Sequence, residues 1–301
     1  MSINNYEFLN KLQIHFENNF NYLSANIPRQ YELYGENWAK KFDLELKQRL
    51  VSLENLKKAA SGYAEFAMDS LLLTAKFQKT KKYDFKTYEE AANEVYQSYE
   101  YMNNLYLPGI LLSHYLWKHH YQQYLFYLNK VVDLLPKQGN FYDVGVGTGF
   151  YSRNILRDSE MCGFGIDMSP HSLNFTRDTL KKFSLENRYS TILGDFYKIK
   201  HQLKSADFIC SIEVLEHLEN PLEMLQSLFF ILKPNHYGLI SAAVNAPNAD
   251  HIYLYKSCEE VARQIKDAGF DIIDETCDEA YEPRRPSEIV PVNYGALVQK
   301  K

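Results

Sequence analysis

Along the first 135 residues, apolar positions recur at helical spacing. Glycines are few, and Pro108–Gly109 is the one Pro-Gly pair. This stretch reads as all-α. From Phe141 onward the pattern changes to short β-rich runs alternating with helical ones: "FYDVGV", "CGFGID", "STILGD", "ADFICSI", "YGLISAAV", "FDIIDE" and "VNYGALVQ". Such alternation predicts βαβ units and an α/β fold built on a doubly wound, mostly parallel, seven-stranded sheet. The break at Pro136 to Asn140 divides the chain into an expected helical domain at 1–135 and an α/β domain at 136–301.

Tyrosines crowd the end of the helical part, where eight of the 24 fall between Tyr96 and Tyr127. On a continuous helix His114, Trp117, Tyr121 and Tyr124 share one face, as positions i, i+3, i+7 and i+10 should. That face is either a core stripe between the two parts or a lid whose phenols and imidazoles line a substrate pocket. Tyr121 and Tyr124 are the substrate-binding candidates of the second reading. The helical part is expected to serve as a lid, a substrate domain or the contact of a homodimer.

Composition is that of an ordinary globular chain, 46% hydrophobic and 24% charged over 301 residues. A formal net charge of -5 argues against nucleic acid as a partner, because non-specific affinity for phosphate backbones comes from clustered Lys and Arg. The densest basic run, "KTKKYDFK" at 79–86, reads as a solvated loop. No apolar stretch reaches the ~20 residues that span a bilayer, so no membrane partner is expected. Cys162, Cys210, Cys258 and Cys277 form no CxxC pair and the first residues lack a signal-peptide pattern, which points to a reducing cytoplasm.

"FYDVGVGTGFYS" at 141–152 places glycines at 145, 147 and 149, directly behind an expected strand. Bare backbone there lets main-chain N–H groups approach a ligand, and the next helix adds its positive end. The register is not that of a dinucleotide site, since the third glycine comes one residue early and Phe150 takes the place kept small. Asp167, 22 residues past Gly145, ends the second strand, where a carboxylate accepts both hydroxyls of a ribose.

These residues resemble the first motif of class I S-adenosylmethionine-dependent methyltransferases, and the later motifs follow in order over residues 136–301. The resemblance implies a Rossmann-like sheet and S-adenosylmethionine as cofactor. It assigns the cofactor's amino-acid part to Asp143, Gly145, Gly147, Thr148 and Gly149, and the ribose to Asp167, with Met168 over the adenine face. "LGDF" resembles the third motif, which sets Asp195 against the adenine amine and Phe196 beside the ring. "ADFICSIEVLEHLENP" resembles the fourth.

Within "EVLEH", a helix would bring Glu213, Glu216 and His217 to one face. His251 in "NAPNADHIYLY" follows the fifth strand on the same sheet edge. These four are candidate ligands of a divalent metal ion, a spelling that also occurs as a metal site in some hydroxyl methyltransferases; Glu213, His217 and His251 are candidate catalytic groups. Arg284 and Arg285, in the loop before the last strand, would clamp a carboxylate or phosphate. The function expected is methyl transfer to a small, anionic, carboxylate-bearing metabolite. Metal-assisted C-methylation of a 2-oxo acid, RNA 2′-O-methylation and a non-catalytic cofactor-binding scaffold are the alternatives.

Overall fold

The computed structural model describes residues 3–96 and 98–301. Helices come first: α1 (Glu7–Asn19), α2 (Asn26–Leu50), α3 (Leu53–Thr80) and α4 (Tyr88–Glu94). Gly35, at φ 66°, interrupts α2, and Ser52 caps α3 by accepting from the backbone N–H of Asn55. A π-helical segment, Tyr101–Tyr106, runs into α5 (Leu107–Leu116), which α6 (Lys118–Phe126) and a second π segment, Tyr127–Val131, follow. The aromatic stretch is therefore not one helix. Trp117 is extended (φ -102°, ψ 129°) and turns the chain between α5 and α6, so the expected common face of His114, Trp117, Tyr121 and Tyr124 does not form.

All seven strand-like runs become strands: β1 (Asn140–Val144), β2 (Cys162–Asp167), β3 (Tyr189–Leu193), β4 (Ala206–Ser211), β5 (Leu232–Val244), β6 (Asp271–Glu279) and β7 (Val292–Lys300). They make one sheet in the order β3-β2-β1-β4-β5-β7-β6. β1 to β5 pair in parallel, whereas β7 runs antiparallel between β5 and β6. The chain reverses its winding at β1, between β2 and β4, and that reversal opens a crevice at the carboxyl ends of these strands.

The connecting helices are α7 (Phe150–Asp158), α8 (Pro170–Lys182), α9 (Phe196–Ile199), α10 (Pro221–Ile231) and α11 (Cys258–Asp267). Local sequence explains their starts. Ser169 and Asn220 cap α8 and α10 through their side chains, each followed by a proline whose missing N–H costs nothing at the first helical position.

One apolar core runs from α1, α2 and α3 through α5 and α6 to Phe141, Phe208, Leu239 and Leu297 on one face of the sheet. A second core, under α10 and α11, covers the other face. The helices before the sheet are thus packed as its covering layer. Across that contact a buried ion pair joins Glu45 of α2 to Arg153 of α7.

Two further observations bear on the expectations from sequence. Cys258 and Cys277 form a disulfide between the start of α11 and β6, their Cα atoms 6.4 Å apart, which departs from the expectation of a reducing cytoplasm. Their separation of 19 residues gives no local signature. No helix among the described residues is long and apolar enough to cross a membrane.

Candidate functional site

The crevice at the reversal point is the mouth of a cavity of about 1160 Å³ that continues under the helical layer. Its floor is the glycine loop. Gly145, Gly147 and Gly149 all hold positive φ (76°, 52° and 71°), a region that L side chains occupy only at a cost. At Gly145 a Cβ would collide with Val214, and at Gly149 it would come 2.7 Å from Thr176. Around Gly147 a Cβ would meet nothing within 4 Å, so this is where the loop faces open space. Thr148, between them, is buried and its carbonyl accepts from the Thr179 hydroxyl.

Three acids surround the loop. Asp143, at the end of β1, is buried and accepts from the Ser152 hydroxyl at 2.6 Å. Burial pushes its carboxyl up to about 7, against the Ser152 hydrogen bond. Asp167, at the end of β2, accepts from the N–H groups of Ser169 (2.8 Å) and Gly147 (3.3 Å), and burial raises it to about 6 in spite of those bonds. Among the described residues no basic side chain forms an ion pair with either acid. Asp195 caps α9, accepting from the Tyr197 N–H at 3.0 Å, and Phe196 behind it is buried. Met168 is 48% exposed, and it lines the cavity together with Asp195 and Phe196.

Beside the loop lies a second cluster. Residues 213–217 do not form the expected α-helix: Glu213 has φ 55°, only a 3-10 turn (Leu215–His217) follows, and α10 waits for Pro221. The turn still gathers three of the four metal candidates, because Glu216, His217 and His251 bring ligand atoms within 4.8 Å of one another. Ile252 and Tyr253 both donate their N–H groups to the Glu216 carbonyl at 2.9 Å, which ties the two segments together. Glu213 is outside this trio. It is held by Ser241, whose hydroxyl donates to its carboxylate and accepts from its N–H, each at 3.0 Å.

Protonation follows from the hydrogen bonds. His217 Nδ1 is 3.0 Å from the Asp250 carbonyl and His251 Nδ1 is 2.5 Å from the Ala246 carbonyl. A carbonyl only accepts, so both Nδ1 atoms carry hydrogen, and in the neutral form of each ring the lone pair is on Nε2. Those Nε2 atoms stand 3.9 and 4.0 Å from Glu216 Oε1. Among the described residues neither Glu216 oxygen has a hydrogen-bond partner, although the side chain is fully buried. Burial and repulsion from Glu213 push the Glu216 carboxyl well above the usual range. Two lone pairs and a carboxylate facing one point match the donor set of a divalent cation.

Sequence reading missed the groups that brace this cluster. Asp250 is buried and takes hydrogen bonds from the hydroxyls of Tyr96 (2.8 Å) and Tyr106 (2.5 Å), both from the helical layer. Burial opposes its ionisation, but His217, His251 and the two hydroxyls outweigh that and hold its carboxyl below the usual range. Tyr83, inside the basic run read as a solvated loop, reaches inward: its hydroxyl accepts from the Ala246 N–H at 3.1 Å and its ring lies 5.9 Å from His251. The only hint of this in the sequence was an aspartate adjoining a candidate histidine.

The remaining candidates separate. Arg284 and Arg285 stand exposed on the cavity rim between β6 and β7. Tyr121 and Tyr124 are buried in the apolar core, and it is Trp117, His119, His120 and Gln123 from the same stretch that line the cavity. The turn at Trp117 rotates the two tyrosines inward.

Comparison with known proteins completes the picture. A methyltransferase-domain family model matches residues 135–285. The mitochondrial ubiquinone biosynthesis O-methyltransferase of Dictyostelium discoideum is 28% identical over 142 residues, 44% of this chain and 43% of that protein. Norajmaline N-methyltransferase of Rauvolfia serpentina is 21% identical over 146 residues, 48% of this chain and 47% of that one. The chain thus matches less than half the length of these curated relatives. The mitomycin 7-O-methyltransferase MmcR shares the fold, with a TM-score of 0.53 at 14% identity over 82% of this chain and 72% of its own. With half of its length matched by that family model and its sheet wound around a glycine loop, the chain belongs to the methyltransferase-domain family.

Proposed function

We propose that this chain transfers a methyl group from S-adenosylmethionine to a small, anionic metabolite held between the sheet edge and the helical layer. One observation carries the reading: the glycine loop with Asp167, and the Glu213 to His217 segment with His251, border the same cavity. The residues present fit the cofactor. Gly147 leaves an open cradle, the buried Asp143 and the half-buried Asp167 form no ion pair with a basic side chain among the described residues, and Phe196 and Met168 offer apolar surface to a flat ring.

In this reading the loop N–H groups and Asp143 hold the amino-acid part, Asp167 the ribose, and Asp195 with Phe196 the base. The cofactor, when bound, supplies a methyl group open to in-line displacement, which needs alignment and exclusion of water more than a nucleophilic side chain. Covering the cavity is the task of the helical layer, latched over it by Tyr96 and Tyr106 on Asp250. Arg284 and Arg285 on the rim are placed to receive a carboxylate.

The trio of Glu216, His217 and His251 favours a metal-assisted version of the same reaction, of which C-methylation of a 2-oxo acid is one form. A divalent cation held there would supply Lewis acidity to an acceptor oxygen. Two imidazoles and a buried carboxylate whose oxygens have no hydrogen-bond partner among the described residues are the support for it. Incubation with methyl-labelled S-adenosylmethionine and fractionated metabolite extract tests both readings. Label should enter an anionic small molecule, chelator should stop it, and added divalent ion should restore it. Full transfer by verified metal-free enzyme would remove the metal, and failure to label any metabolite would remove the substrate reading.

A further inference from the structure

Three histidines meet where α5 turns into α6. His114 and His120 lie 6.0 Å apart, and His119 and His120 4.5 Å apart, ring centre to ring centre. His114 is engaged by stacking on Phe150 at 4.1 Å, and His119 by stacking on Trp117 at 5.5 Å. His120 differs from both. Its Nδ1 is 2.9 Å from Ser113 Oγ, and that hydroxyl is 2.8 Å from the carbonyl oxygen of Ile110.

The carbonyl only accepts, and a hydroxyl owns one hydrogen. Both contacts are satisfied when Ser113 donates to Ile110 and His120 Nδ1–H donates to Ser113. The tautomer then leaves a lone pair on Nε2, to which no described residue hydrogen-bonds. His120 is half-buried and lines the cavity, and burial holds its pKa down to about 3, so the ring is neutral and accepting in ordinary buffers. Beside it Trp117 (4.9 Å), stacked on Phe66 (5.3 Å, interplanar angle 17°) as well as on His119, adds aromatic surface to the same cavity.

We propose that His120 Nε2 is a substrate-binding atom, which accepts a hydrogen bond from the hydroxyl of an aromatic, phenol-class acceptor laid against Trp117. The inference rests on the methyltransferase reading above and adds a phenol hydroxyl to the anionic metabolite proposed there. An acceptor without a hydroxyl there covers the lone pair without pairing it, and the site discriminates against it for that reason.

The test uses the full chain, saturated with S-adenosylhomocysteine, and two probes that differ by one O–H group, phenol and anisole. Long-range 15N NMR of histidine reads the tautomer of His120, and titration reads affinity. Nδ1–H is the expected tautomer, with phenol binding roughly tenfold more tightly than anisole. His120→Gln, whose carbonyl oxygen reaches the place of Nε2, should keep the preference. His120→Asn, which reaches only the place of Nδ1, and His120→Phe should lose it while binding S-adenosylhomocysteine as the wild type does. Equal affinities for the two probes, a preference that persists in His120→Asn, or hydrogen on Nε2 would overturn the proposal. Failure of the wild type to bind S-adenosylhomocysteine would instead strike the methyltransferase reading, and is measured separately.

Discussion

Replacing Glu45 with methionine while keeping Arg153 should destabilise the fold by about 3–5 kcal/mol, the usual cost of stranding one partner of a buried ion pair. Both side chains are almost wholly inaccessible, at 4% and 5% exposure, and the guanidinium is wedged between the rings of Phe150 and Phe183 at 5.1 and 4.5 Å. Water therefore cannot readily solvate the abandoned charge. For 301 residues unfolding as a unit, an entropy of about 2.1 cal/mol/K per residue gives about 0.6 kcal/mol/K, so Tm should fall by about 5–8 °C. The double variant Glu45→Met with Arg153→Met should recover most of that loss, since apolar replacements of a buried pair are often neutral. Calorimetry and circular dichroism on the four members of the cycle measure the coupling. A loss under about 1 kcal/mol in Glu45→Met would refute the claim that this pair fastens the helical layer to the glycine-loop helix.

Other consequences follow from burial and backbone geometry. Asp143 stands near pH 7 in the fold against an ordinary aspartate value of 3.8, so the folded chain keeps a proton that the unfolded chain releases, and stability from this group falls as pH rises from about 4 to 7. Asp143→Asn should accordingly exceed the wild type at pH 8, by up to roughly 4 kcal/mol, and lose that advantage near pH 4; a gain that does not vary with pH would contradict this. Gly147→Ala should cost only about 1–2 kcal/mol of stability for its positive φ, yet weaken S-adenosylhomocysteine binding strongly because the new methyl group enters the cradle; unchanged affinity by calorimetry would move the ligand off this loop. Alanine at Tyr121 or Tyr124 should lower stability by about 3–5 kcal/mol each, as core truncations do, and a selective rise in acceptor KM without loss of Tm would restore them to the pocket.

The sheet was legible because each strand carries its own apolar run and the runs alternate with helical segments. The glycine loop and its two strand-end acids were legible because short stretches of sequence build them. What failed to show was whatever depends on distant partners or on one unusual backbone angle. Asp250 meets Tyr106 and Tyr96 across 144 and 154 residues, and no periodicity reports such a contact. Helical spacing was extrapolated through Trp117 and through Glu213, and in each place the chain leaves the helical region, which turned Tyr121 and Tyr124 into the core and set Glu213 apart from the other metal candidates. Glu216, His217 and His251 converged despite the wrong local geometry, because the main chain of Glu216 is bonded to that of residues 252 and 253.

Calorimetric titration of S-adenosylhomocysteine into the wild type and Asp167→Ala tests the central claim most directly. That claim is that the loop from Gly145 to Gly149 and the acid at the end of β2 bind the methyl donor. The account predicts one site per chain in the wild type. Asp167→Ala should bind more weakly by about 1.5–3 kcal/mol, or roughly 10- to 150-fold, through loss of charge-assisted hydrogen bonds, in a variant shown to be folded at the temperature of titration. Absence of binding to folded wild type at millimolar ligand, or the same affinity in Asp167→Ala, would contradict it.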